Sequence, residues 1–132
     1  MSYKAIDVAK HVITYAASKS SPVTNLKLQK ILYFLWIDFY KARRDYLYDD
    51  MIQAWRFGPV IPEVYYAFCH YAAWPINKSY ENVLSREDAD LLNPFIEGYM
   101  KESAYDLVER SHTPGKPWDG VYAIHDKNII PF

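Results

Sequence analysis

The chain holds four histidines, one cysteine and sixteen carboxylates, so the first question is whether any of them are spaced for catalysis. His11, His70, His112 and His125 show no metal-ligand spacing such as H-E-x-x-H, and no cysteine pair exists to complete a zinc site. Cys69-His70 is the one nucleophile–base pair in sequence. Adjacent residues on a helix point about 100° apart, which keeps a thiol and an imidazole from sharing a proton. Cys69 is therefore expected as a buried structural cysteine. Asp49-Asp50 reads as a solvated turn, because no apolar residues bracket the pair to raise a carboxyl pKa. Four glycines leave no material for a phosphate-cradling loop. The expectation is a protein that is not an enzyme and has no cofactor and no metal.

The residues that stand out are of the kind that bind proteins. Trp55-Arg56-Phe57-Gly58-Pro59-Val60-Ile61-Pro62-Glu63-Val64-Tyr65 packs aromatics, an arginine, a glycine and two prolines into one stretch. Gly58-Pro59 signals a turn, Pro62 suits the first turn of a helix, and Glu63 suits its positive end. The stretch reads as a short strand, a rigid turn and a new helix. Arg56 has two readings: a structural ion pair with Glu63 or an acid of the fourth helix, or a fork presented outward from an aromatic face. Trp55, Phe57 and Trp118 are expected at the core or its edge, and any that is exposed becomes a contact anchor. His112 follows a helix, where the dipole favours a histidine, so a structural and a binding role stay open.

These residues need elements to hold them. A first helix is expected over Tyr3–Ser18, from Ile6, Ala9, Ile13 and Ala16 at helical spacing. Thr24 or Asn25 caps a second helix over Leu26–Ala42. Leu28, Ile31, Leu32, Leu35 and Phe39 form its stripe, and Tyr33, Phe34, Trp36 and Ile37 extend the apolar surface nearly all round. Such a helix is enclosed by others, so it is the expected hub. A strand over Met51–Phe57 follows, then helices over Pro62–Tyr71, Ser85–Tyr99 with a kink or restart at Pro94, and Ser103–Ser111. Ile129-Ile130-Pro131-Phe132 could form an edge strand. The fold class is mainly α with a minor short β element, a single compact domain over residues 1–132 around a buried central helix.

Bulk properties narrow the partners. Net charge is −1, with nine basic and six acidic residues in 1–66 against six and ten in 67–132. That is a polarised surface, not a phosphate-binding stripe, so nucleic acid is not the expected partner. The longest apolar run, Ile31–Ile37, is far short of the roughly 20 residues that span a bilayer. One cysteine and no signal-peptide pattern fit a soluble protein of the cytoplasm, with no membrane partner. Thirteen tyrosines suit core edges and interfaces.

Two clusters, Leu26-Lys27-Leu28-Gln29-Lys30-Ile31-Leu32-Tyr33 and Trp55–Tyr65, resemble the Panacea, or SocA-like, antitoxin domain in order and separation. Ser111-His112 and Pro117-Trp118 fall where that family shows a T-H and a P-W. Ser111 and Phe57 stand in place of its usual threonine and tyrosine. The resemblance covers about Val8 to Pro131. It implies an antitoxin of a bacterial or prophage toxin–antitoxin pair, neutralising a toxin encoded by a neighbouring gene through direct protein contact. The alternatives it implies are a proteolytic adaptor that hands a bound partner to a protease, and a DNA-binding regulator of its own operon. The expected partner-binding residues are Trp55, Arg56, Phe57, Gly58, Pro59, Val60, Pro62, Glu63, Tyr65, His112 and Trp118.

Overall fold

The computed structural model describes residues 2–111. His112, Trp118 and the expected 129–132 strand lie outside the described residues. Among those described, α1 (Ala5–Ser18), α2 (Asn25–Arg43), α3 (Pro62–Phe68), α4 (Arg86–Met100) and α5 (Ala104–Ser111) accompany a two-stranded sheet of β1 (Gln53–Trp55) and β2 (Gly58–Val60).

The centre of the molecule is α2. It touches α1, α3, α4, α5 and β2, which is why apolar residues cover nearly its whole circumference. Leu28, Ile31, Leu32 and Leu35 are completely buried, and Phe39 closes the stripe. Thr24 caps the helix by accepting from the Lys27 N–H at 3.2 Å. Lys41 and Arg43 sit in its last turn, where the dipole favours cations, and Arg44 ends it in the left-handed region at φ 53°.

The other elements pack around this hub with local departures from the expected boundaries. The first helix starts at Ala5, not Tyr3, because Tyr3 leaves to bridge Tyr48 and sends its hydroxyl to Asp88 at 2.6 Å. Lys4 offers α1 no side-chain cap; the Ala5 N–H is taken instead by the Asp50 carboxylate at 2.9 Å. Asp49-Asp50 is therefore no plain solvated turn: Asp50 caps a helix forty-five residues away. Ser85 and Ser103 cap α4 and α5 by accepting from the Asp88 and Asp106 N–H groups at 3.1 and 3.0 Å.

Two segments differ in kind. Pro94 neither stops nor restarts α4, which runs continuously to Met100. Pro94 and Asp90, whose carbonyl loses its helical donor, are both exposed, so water can serve that carbonyl. The turn after Trp55 is the tip of a hairpin and not a plain exit from one strand. Gln53, Ala54 and Trp55 pair with Val60, Pro59 and Gly58. Proline fits inside β2 because the Ala54–Pro59 pair is the one that exchanges no ladder hydrogen bond. The third helix also ends earlier than expected, at Phe68, and tightens into a 3-10 turn over Cys69–Tyr71.

Candidate protein-interaction site

Three polar residues on the apolar hub hold the hairpin and α3 in place. Asn25 and Gln29 lie one turn apart on α2 and share a face. The Asn25 amide donates to the Tyr65 carbonyl at 3.1 Å, and its Oδ1 accepts from the Gln29 amide at 3.0 Å. Gln29 Oε1 accepts the Ile61 N–H at 2.9 Å, at the start of a helix without a side-chain cap of its own. Lys30 Nζ then donates to the Pro59 carbonyl at 3.0 Å. Lys27, earlier in the same cluster, donates to the Met100 carbonyl at 2.6 Å and so closes the end of α4. Each polar residue of Lys27-Leu28-Gln29-Lys30 thus ties a neighbouring element to the hub, while Leu28 fills the core.

Gly58 is the closest approach in this assembly. Its φ of +101° lies where side chains are strained, and a Cβ there would meet Ser111 Oγ at 2.8 Å and Lys30 Cε at 3.1 Å. Ser111 is itself buried at the end of α5, donating to the Val108 carbonyl at 2.6 Å. The glycine lets the hairpin lie against α2 and α5 together.

The outer side of this assembly is a groove of about 370 Å³ between the start of α2, the hairpin, α3 and the 3-10 turn. Trp55 and Tyr65 form its wall, their rings packed edge to face with centroids 5.0 Å apart. Tyr66 joins them, its centroid 5.4 Å from Tyr65. Trp55 Nε1 donates to Gln53 Oε1 at 2.8 Å, which fixes the indole. Arg56 and Phe57 form the lip, with the guanidinium 5.6 Å from the Phe57 ring centre. Exposed apolar side chains gather at this end: Leu26 and Phe57 line the groove, Tyr66 backs its wall, and Trp74, 76% exposed, follows the lining residues Ala72 and Ala73. The contiguous part of this set is Trp55, Tyr65 and Tyr66, and joined aromatic surface of this kind marks interaction sites.

Charge enters the groove from Lys30 and Arg56. Lys30 is buried, no carboxylate among the described residues pairs with it, and burial lowers its pKa from 10.5 to about 7. Arg56 is exposed and faces Phe57, the second of the two readings open from sequence. Among the described residues no group of three or more His, Cys, Asp or Glu is gathered to hold a metal, and no helix is long and apolar enough to cross a membrane.

The expected partner-binding residues divide by position. Gly58, Pro59 and Val60 are buried and shape the hairpin, and Pro62 opens α3. Trp55, Arg56, Phe57 and Tyr65 face the groove. Glu63 is exposed in the first turn of α3. Phe57 is not a core-edge residue: it is 60% exposed, because the hairpin tip carries it past the hub. Cys69 is not buried either; the 3-10 turn places it on the groove wall, exposed, its thiol donating to the Tyr66 carbonyl at 3.3 Å. Asn25, Gln29 and Lys30 were not among the expected site residues. Their signal was present as polar side chains on a helix otherwise apolar all round.

The sequence matches the family described as Antitoxin SocA-like, Panacea domain over residues 28–119, which takes in α2 from Leu28 onward, the hairpin and the helices that follow. Antitoxin SocA of Caulobacter vibrioides (strain NA1000 / CB15N) is 34% identical over 126 residues, covering 85% of this chain and 66% of its own length. No solved structure matches the chain. With the matched segment spanning well over half of the sequence, the chain belongs to the Antitoxin SocA-like, Panacea domain family.

Proposed function

We propose that this chain is a single antitoxin domain of the cytoplasm, not an enzyme, and that it neutralises a toxin by direct contact. The toxin is the product of a neighbouring gene, and the contact face is the groove with its rim of Arg56, Phe57, Tyr66 and Trp74. Membership of the antitoxin-named family supports the role. The observation that carries the choice of face is the set of exposed aromatics around the groove, with Phe57 on a hairpin that Lys30 ties to α2 and Tyr66 on a helix whose start Gln29 ties there. Aromatic and arginine side chains supply most interface energy, and a backbone held in advance lowers the ordering cost of binding. His112 and Trp118, which the family pattern pairs with the hairpin, belong to the same proposal.

The test is co-expression of the chain with the neighbouring gene, scored by growth rescue and co-purification. Arg56→Ala and His112→Ala should each weaken rescue while the thermal midpoint stays near wild type. Full rescue by both variants would move the contact elsewhere on the molecule.

A further inference from the structure

The groove has a charge asymmetry that specifies its occupant. Of the titratable residues lining it, Arg56 is a permanent cation and Lys30 a buried amine that is a cation when protonated; no aspartate or glutamate lines it among the described residues. Lys30 lies in the floor with three N–H donors and one acceptor, the Pro59 carbonyl, among the described residues. Buried charges are ordinarily paired, and among the described residues no carboxylate pairs with Lys30. Arg56 stands at the lip, exposed, with its fork turned across Phe57. Between the two cations the wall is Trp55 and Tyr65, an apolar surface.

We propose that the groove receives an acidic segment of a protein partner. An aliphatic or aromatic side chain of that segment packs on Trp55 and Tyr65. A neighbouring carboxylate pairs with Arg56 and lies over the floor that holds Lys30. Lys30 needs no direct contact: once the partner excludes water, the carboxylate attracts the protonated amine more strongly as the local dielectric falls. A protein is favoured over a small anion because exposed aromatic surface continues from the Trp55–Tyr65 wall to Tyr66, which lies outside the groove and which a molecule filling about 370 Å³ would leave uncovered. The identification of that partner as the toxin rests on the antitoxin reading above; the acidic, apolar-anchored chemistry rests on the groove alone.

Selection of random phage-displayed peptides on the full chain at low salt tests this. Wild type should enrich sequences with aspartate or glutamate beside leucine, phenylalanine or tryptophan. A synthetic copy of the leading peptide should bind about tenfold more weakly to Arg56→Glu, one charge contact reversed. It should also lose binding when Cys69, the one cysteine, is alkylated on the groove wall. Arg56 is off the core, so the Arg56→Glu melt should equal wild type; Lys30→Met is the second variant and should weaken the peptide several-fold. Neutral or basic leading peptides, or a leading peptide indifferent to both Arg56→Glu and alkylation, would overturn the proposal. So would binding of free succinate in the groove as tight as that of the peptide. Co-expression with the neighbouring gene is scored separately: acidic peptides without rescue by wild type remove the antitoxin reading and leave the groove chemistry standing. Rescue by wild type with no acidic enrichment does the reverse.

Discussion

Lys30→Met isolates what a buried ammonium does to this fold. Burial lowers the Lys30 pKa from 10.5 to about 7. Below about pH 7 the lysine is protonated in both folded and unfolded chains, and the full penalty on the charged form destabilises the fold. Between about 7 and 10.5 the unfolded chain keeps its proton and the folded chain releases it. The unfolded state then binds more protons, so stability rises with pH across that window. The slope approaches about 1.4 kcal/mol per pH unit, and half-titration near pH 7 leaves a gain of about 2 kcal/mol between about pH 7 and pH 9. The phenols of Tyr48, Tyr80 and Tyr99, whose pKa values burial raises, enter only when unfolded tyrosines ionise near pH 10, above that range. At pH 7 the lysine's penalty is about 4 kcal/mol, and loss of its bond leaves the Pro59 carbonyl bare at about 1–3 kcal/mol. Lys30→Met should therefore be more stable than wild type at pH 7 by about 1–3 kcal/mol, and flatter in pH. Urea melts of both chains at about pH 7, 8 and 9 measure this. Parallel pH slopes for the two chains would refute the reasoning, because the proton release would belong to another group.

Leu32→Ala or Leu35→Ala, each in a completely buried position of the hub, should lose about 2–5 kcal/mol in the same melts. Gly58→Val should lose about 2–5 kcal/mol and lower the folded yield, from strain at φ +101° and the 2.8 Å approach to Ser111 Oγ. Gln29→Ala should lose about 1–3 kcal/mol by stripping the Ile61 N–H of its acceptor, with amide exchange of the α3 first turn rising more than that of α1.

The parts legible in the sequence were those governed by local pattern. The period of Leu28, Ile31, Leu32, Leu35 and Phe39 exposed the hub, because a 3.6-residue repeat needs no knowledge of the neighbours. Thr24, Ser85 and Ser103 announced helix starts for the same reason: a cap is satisfied within three residues. What remained hidden depends on contacts between distant segments. Asp50 capping α1 requires the chain to return over the start of that helix. The second strand of the hairpin is three residues with a proline in the middle, which carries no alternating pattern to read. Cys69 was misjudged because cysteine is mostly buried as a type, whereas a 3-10 turn after Phe68 rotates it outward. The Lys27-Leu28-Gln29-Lys30 cluster was visible as a family mark, yet its physical work, tying α4, α3 and β2 to the hub, needed the hydrogen bonds themselves.

Under the antitoxin proposal the toxin sits on the groove face. The most direct measurement is the affinity of purified chain for the neighbouring gene's product, compared among wild type, Arg56→Glu and Lys78→Glu. Lys78 lies in the loop beside the end of α1 and does not line the groove. Arg56→Glu should weaken binding about tenfold or more at an unchanged melt, while Lys78→Glu should bind as wild type. Wild-type affinity in Arg56→Glu together with a loss in Lys78→Glu would contradict that placement.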